Sequence, residues 1–325
     1  MVDQKKLNEA ETAPEALDPT ALDSNLGPTR CGFIAVLGSP NAGKSTLVNA
    51  LVGAKVSIVS HKVQTTRVPV RGIAMAGRSQ LVFIDTPGIF QPKRRLDRAM
   101  VDAAWGGAKH ADVVAVMIDA AKGIDDDTGR LIERVKDARS LRICILNKVD
   151  RVEEKQKLLA LTAEVARRAS FDKVFMISAL DGTGVADLTA YLANVVPAGP
   201  WHYSEDDVTD VPLRMMASEI TRERIYHWLH DELPYSTTVE TTSWKTLKDG
   251  SARIEQTIFI ERDSQKSIVL GKNGATIKKI SMEARRGIEE LADHKVHLFL
   301  FVKVRENWGA DPERYREMGL DFPKD

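Results

Sequence analysis

The chain is short of cysteine: Cys31 and Cys144 are its only two. Neither belongs to a C-x-x-C pair, and each lies in an apolar, strand-like segment. That argues against a disulfide framework and a thiolate metal cluster, and for small buried residues in a reducing compartment. Long hydrophobic runs are missing too. None approaches the ~18 residues that would suggest a membrane-spanning helix. The N-terminus lacks the apolar core of a secretory signal, so a cytoplasmic protein is expected, with surface association with a membrane left open. An excess of one charge is also absent. Lys+Arg and Asp+Glu both total 46, so any basic surface for an acidic partner must be local.

What is present divides into regions. At 325 residues about two domains are expected. Residues 1–29 contain Pro14, Pro19 and Pro28, no aromatic residue and more acids than bases, and read as a disordered tail. Over 30–196, the apolar runs FIAVL, LVFID, VVAVMID, ICIL and VFMIS alternate with helical patterns. This predicts an α/β domain built on a mostly parallel sheet. VPVRGIAMAGRSQLVFID places two strands about Gly77-Arg78-Ser79, so one edge strand is expected to be antiparallel. Residues 197–212 read as a linker. From 213 to 325 the pattern becomes helix, strand, strand, helix, helix, strand, with a C-terminal extension: a separate α+β domain. Nothing argues for an obligate oligomer, so a monomer is expected.

GSPNAGKS, Gly38 to Ser45, fits G-x-x-x-x-G-K-[ST], the phosphate-binding loop, and has the right context: an apolar strand before it and a helix after it. Amides of Gly38, Ser39, Pro40–Gly43 and the helix start through Thr46 are expected to surround phosphates. Pro40, having no N–H, contributes shape only. Lys44 is expected to reach the β- and γ-phosphates, and Ser45 to coordinate Mg²⁺. Asp85-Thr86-Pro87-Gly88 ends a later strand. Asp85 is expected to hold Mg²⁺ through water, and the Gly88 N–H to sense the γ-phosphate. Between them, QTTR (Gln64–Arg67) offers a hydroxyl that binds Mg²⁺ only with the γ-phosphate present. Thr66 is favoured over Thr65.

Asn147-Lys148-Val149-Asp150 selects the base. The Asp150 carboxylate can accept from both N1–H and the N2 amine of guanine, a pair that adenine lacks. Asn147 is expected at the other edge of the base, the Lys148 stem over its face, and the Ala179 N–H of Ser178-Ala179-Leu180 at guanine O6. These elements, in this order, are those of a translation-factor-type GTPase. Ile89 stands where Ras-like proteins carry a water-positioning Gln, so slow intrinsic hydrolysis of GTP to GDP is expected. Asn41 either helps hold K⁺ near the phosphates or satisfies loop backbone.

Gly271-Lys272-Asn273-Gly274 joins two helices of the second region. G-x-x-G lets a nucleic-acid backbone approach closely, as in KH domains. Arg262 to Arg286 holds seven bases and two acids, a local footprint for phosphate. Lys278, Lys279 and Arg285 are candidate contacts. Ile268, Val269, Leu270, Ile277 and Ile280 are expected to line a groove for bases. Trp308, Arg305 and Tyr315 follow the last strand, where an aromatic either stacks on a base or caps the core. The element order is that of a type II KH fold.

The two domains together resemble the bacterial Era GTPases over about residues 31–320. The resemblance rests on GSPNAGKS, QTTR, DTPGIF, NKVD and SAL, and more specifically on ELPYSTTVE, IVLGKNGATIKKI, EAR, VHLFLFVKV and NWGADPERYREMGL. It implies an assembly factor for the small ribosomal subunit whose KH domain binds the 3′ end of 16S rRNA, more tightly with GTP. It also implies association with the inner-membrane surface. Residues 1–29 have no counterpart in it. The rival readings are an RNA-binding module with a structural nucleotide, a GTPase partner in RNA modification, and a membrane-trafficking factor.

Overall fold

The computed structural model describes residues 27–306 and 308–323; most of the expected N-terminal tail lies outside them. The first unit is a six-stranded sheet in the order β2-β3-β1-β4-β5-β6. Its strands are β1 (Arg30–Gly38), β2 (Val70–Ala76), β3 (Ser79–Asp85), β4 (Val113–Asp119), β5 (Leu141–Asn147) and β6 (Lys173–Ile177). Only β2 runs antiparallel, through its pairing with β3, as the hairpin sequence predicts.

Alternate residues of β1 feed two cores. Ile34 and Val36 pack with Leu47 and Val48 of α1 (Lys44–Val52) and with Leu188 and Leu192 of α5 (Val185–Val195). Ala35 and Leu37 pack on the other face with Ala104 of α2 (Arg95–Lys109), Leu131 of α3 (Asp126–Val135) and Leu161 of α4 (Lys155–Arg168). Burial on both faces explains why these strands read as unbroken apolar runs. Both cysteines are free and buried, and burial pushes the Cys144 thiol up to about 12.

The stretch read as a linker is pinned to the sheet. Gln80, fully buried, accepts from the His202 and Tyr203 amides at 2.9 and 3.1 Å and donates to the Tyr203 carbonyl at 2.9 Å. Ile73 N–H donates to Val208 O at 2.9 Å, and Arg71 pairs with Asp210 at 2.5 Å. The segment thereby covers part of edge strand β2, whose backbone would otherwise invite pairing with another chain.

The second unit holds α6 (Leu213–Trp228), β7 (Thr238–Thr246), β8 (Ala252–Ile260), α7 (Asp263–Leu270), α8 (Ala275–Ala292), β9 (Val296–Val304) and α9 (Pro312–Met318). Its sheet runs β7-β8-β9, with β7/β8 antiparallel and β8/β9 parallel. Helix α6 begins directly after Pro212 and ends at Trp228. The C-terminal segment returns to the first unit: Tyr315 and Leu320 pack against Ala99 and Met100 of α2. No helix among the described residues is long and apolar enough to cross a membrane.

Candidate nucleotide and nucleic-acid sites

Strands β1, β3, β4, β5 and β6 all end at one edge of the parallel sheet, where open α/β sheets bind ligands. The turn after β1 needs its glycine: Gly43 has φ +102°, and a Cβ there would lie 2.3 Å from Asn147 Nδ2. Lys44 is 7 % exposed, and its Nζ donates to the Gly38 and Ser39 carbonyls, each at 3.1 Å. Burial pushes its ammonium down to about 8, against the opposing pull of Asp85. A lysine so held is oriented toward the loop before any anion arrives.

Three oxygen-bearing residues converge beside it. Ser45 Oγ donates to Asp85 Oδ2 at 2.7 Å and lies 3.0 Å from Thr66 Oγ1, which is itself 3.4 Å from Asp85 Oδ2. Asp85 is fully buried, its Oδ1 has no hydrogen-bond partner among the described residues, and desolvation raises its pKa. Two hydroxyls around a buried, half-unpaired carboxyl are the donor set of a hard divalent cation, so these residues fit Mg²⁺. Of the two threonines, Thr66 is the one brought here; Thr65 Oγ1 donates instead to Lys62 O at 2.9 Å.

Gly88 touches the loop: a Cβ on it would come 2.9–3.0 Å from Pro40 atoms. The next residue, Ile89, donates its N–H to Gly38 O at 3.0 Å, while its side chain packs with Ala35 and Leu37. Its side chain therefore lies in the core and lines no part of the nucleotide cavity. Thr86 is fully buried, with Oγ1 donating to Val36 O at 2.7 Å.

The base end is knit together by side chains of β5 and the turn after it. Asn147, 2 % exposed, donates through Nδ2 to Ala42 O at 2.8 Å and accepts at Oδ1 from Ala179 N–H at 3.0 Å. Asn147 thereby ties the phosphate loop to β5 and to Ser178-Ala179-Leu180, and its Nδ2 keeps a second N–H beyond the one given to Ala42 O. Lys148 Nζ bonds Asn41 O at 2.6 Å and Asp119 Oδ2 at 2.7 Å. Asp119 was not singled out from sequence, although VVAVMID ends in an acid as LVFID does. Asp150 is exposed and, with Lys148 and Leu180, borders a cavity of about 400 Å³ that extends to Gly43 and Ser45. Asn41 Nδ2 donates to His61 O at 2.9 Å, which is the backbone-satisfying alternative for that residue.

The segment between α1 and β2 is held by the second unit. Arg222 Nη2 donates to Thr65 O at 2.6 Å, and Tyr226 OH to Gln64 O at 3.3 Å. Glu223 accepts from Val59 N–H at 2.9 Å and pairs with Lys55 at 2.6 Å. Lys62 Nζ donates to the Tyr226 and Leu229 carbonyls. Arg67, 5 % exposed, donates to the carbonyls of Thr237, Pro234 and Tyr235 at 2.8–3.3 Å.

In the second unit, Gly271 and Gly274 have φ +73° and +76°, and Asn273 between them has φ +53°. A Cβ on Gly271 would meet Thr276 Oγ1 at 2.2 Å. Lys272, Asn273 and Lys278 are exposed, and Ile268 is 57 % exposed. Lys278, Met282 and Arg285 share one stripe of α8. The stripe continues one turn on to Glu289, which pairs with Arg285 at 2.9 Å and accepts from Val296 N–H, at the start of β9, at 3.1 Å. Lys279 lies elsewhere, over the Trp228 ring of α6 at 4.7 Å.

Two groove expectations are corrected, and the alternatives left open for Trp308 resolve to the core cap. Val269 and Ile280 are fully buried core residues. Trp308 is 1 % exposed, and its Nε1–H donates to Ser236 O at 2.9 Å. Its ring is closed off from a base and caps the core.

A phosphate loop, a three-residue cation set and an exposed carboxylate at the base end, coupled to a G-x-x-G helix pair, define a P-loop GTPase joined to a KH domain. The family model described as 50S ribosome-binding GTPase matches residues 33–148, and the KH-domain model matches 232–309. GTPase Era of Brucella suis biovar 1 (strain 1330) is 59 % identical over 305 residues, 94 % of this chain and 98 % of that one. GTPase Era of Bradyrhizobium sp. (strain ORS 278) is 60 % identical over 299 residues, 92 % and 97 % of the two. The chain belongs to the Era GTPase family. The crystal structure of Era in complex with MgGDPNP and nucleotides 1506–1542 of 16S ribosomal RNA has a TM-score of 0.86 at 34 % identity, covering 90 % of this chain and 99 % of that one. An Aquifex aeolicus Era variant bound to GDP.AlF4⁻ matches equally well, with the same coverage.

Proposed function

We propose that this GTPase holds the 3′ end of 16S rRNA while GTP is bound, acts in assembly of the small ribosomal subunit, and lets go on hydrolysis. The observation that carries the reading is a junction. The Thr65 carbonyl, bonded to Arg222 of α6, belongs to the residue before Thr66, whose hydroxyl joins Ser45 and Asp85. Loss of the γ-phosphate frees Thr66 and so the segment that α6 grips. The Era complex with a 16S rRNA fragment supports the choice of RNA.

Bound Mg²⁺ supplies charge neutralisation between the phosphates. Lys44 steadies the β- and γ-phosphates, the Gly88 amide reads the γ-phosphate, and Asp150 selects guanine. Ser45, Thr66 and Asp85 are the residues that hold the cation. With Ile89 in the core, no side chain follows Gly88 to orient water, so intrinsic turnover is slow. Asn41 Oδ1 and His61 O together offer oxygens for K⁺ beside the loop, a substitute for the missing positive group.

The test is crosslinking of the chain to RNA in cells, with and without Gly274→Asp. That substitution puts a carboxylate where the RNA backbone approaches, at a φ that Asp tolerates. Wild-type crosslinks concentrated at the 16S 3′ terminus and lost in the variant are expected; crosslinks scattered evenly over cellular RNA overturn the target. Flotation with liposomes tests the separate expectation of a membrane-surface role.

A further inference from the structure

The sheet of the KH unit has a second face that the G-x-x-G helices do not touch. Along β9, Val296, Leu298, Leu300 and Val302 turn toward the core beneath α6, α7 and α8. The alternating residues His297, Phe299, Phe301 and Lys303 turn away. Their cross-strand neighbours on β8 are Arg253, Glu255, Thr257 and Phe259.

One end of this outer face is closed. Arg314 of α9 lies over Phe259 at 5.1 Å and pairs with Glu240. The other end is open. Phe299 is 40 % and Phe301 46 % exposed, and residues i and i+2 of one strand put the rings roughly 6.6 Å apart. Arg253 sits over the Phe299 ring at 4.4 Å, held by Glu255 at 2.9 Å. Lys245, His297 and Lys303 are exposed around the pair. Strand β9 is the edge of its sheet, and α8, which carries Lys278, Met282 and Arg285, packs on the sheet's other face.

We propose that Phe299 and Phe301 form a second single-stranded RNA subsite, which stacks bases of a strand that leaves the G-x-x-G groove and crosses the β9 edge. The inference rests on the RNA-binding reading above and extends it. Two rings in series with cations at both ends match the chemistry of bases on a phosphate backbone. The acids on this face are both engaged, Glu255 by Arg253 and Glu240 by Arg314. A protein partner would call for a larger apolar patch than these two rings present.

The test compares full-length chain with the Phe299→Ala/Phe301→Ala variant, binding a six-nucleotide and a twelve-nucleotide single-stranded RNA of the same 3′-terminal 16S sequence. Both rings are half exposed, and a matching thermal midpoint checks the fold. The variant is expected to lose about tenfold affinity for the longer strand and to keep the shorter one within twofold. Unchanged affinity at both lengths overturns the subsite, and recovery of a protein partner by the wild type alone then reassigns the face. Equal losses at both lengths also overturn it, because the rings then serve the groove. Failure of the wild type to bind either strand is a failure of the RNA reading itself.

Discussion

Arg222 Nη2 donates to the carbonyl of Thr65 at 2.6 Å, although 157 residues separate them in the chain. Burial alone would drive charge off this guanidinium, but Glu219 more than compensates and keeps it firmly protonated. The bond therefore persists across physiological pH. It ends one peptide link from the residue whose hydroxyl lies at the cation site, which is the contact the proposed coupling rests on.

Arg222→Met is expected to uncouple the two units. GTP affinity should change little, while the difference in RNA affinity between GTP-analogue and GDP forms shrinks. Stability should fall by roughly 1–3 kcal/mol, because the Thr65 carbonyl and Glu219 lose their partner but Glu219 can reach water. Anisotropy titrations with labelled RNA read the first effect and thermal melts the second. An unaltered nucleotide dependence would remove Arg222 from the coupling.

Thr66→Ala and Thr65→Ala separate neighbouring hydroxyls. Only Thr66 meets Ser45 and Asp85, so its loss should lower single-turnover hydrolysis about 100-fold and leave GDP affinity unchanged. Thr65→Ala should stay within a few-fold of wild type. The reverse order would mean that the segment rearranges when nucleotide binds.

Asp150→Asn should weaken GTP binding about 100-fold, because two charge-assisted hydrogen bonds to the base are lost. Xanthosine triphosphate, with a carbonyl at C2, should gain what GTP loses. Calorimetry checks both. ATP held by the wild type as tightly as GTP would contradict guanine selection outright.

GTP turnover measured in K⁺ and in Na⁺ tests the cation role of Asn41. Faster hydrolysis in K⁺ is expected, with the difference abolished in Asn41→Ala. Equal rates in the two salts would leave Asn41 with only its bond to His61 O.

The phosphate loop, the DTPG strand end, Asp150 and the G-x-x-G turn were legible in sequence because each is a contiguous run whose chemistry dictates its spacing. The parallel sheet was legible because strands buried on both faces read as apolar blocks. What escaped is non-local. Arg67, Arg222 and Glu223 are buried charges that each bond a backbone group more than 150 residues away, and the two on α6 read in sequence as part of a solvated face. Motif order also cannot reveal that Asn147 bridges Ala42 and Ala179 across the site. For Trp308 and Tyr315 the sequence left stacking and core capping both open, because the partners that enclose them, Ser236 and α2, lie far away in the chain.

The most direct test of a nucleotide-governed hold on RNA is the affinity of the full chain for the 3′-terminal 16S sequence. It is measured with a non-hydrolysable GTP analogue and Mg²⁺, with GDP, and without nucleotide. The account predicts tightest binding with the analogue, by at least about fivefold over GDP. Equal affinity in all three states would contradict it.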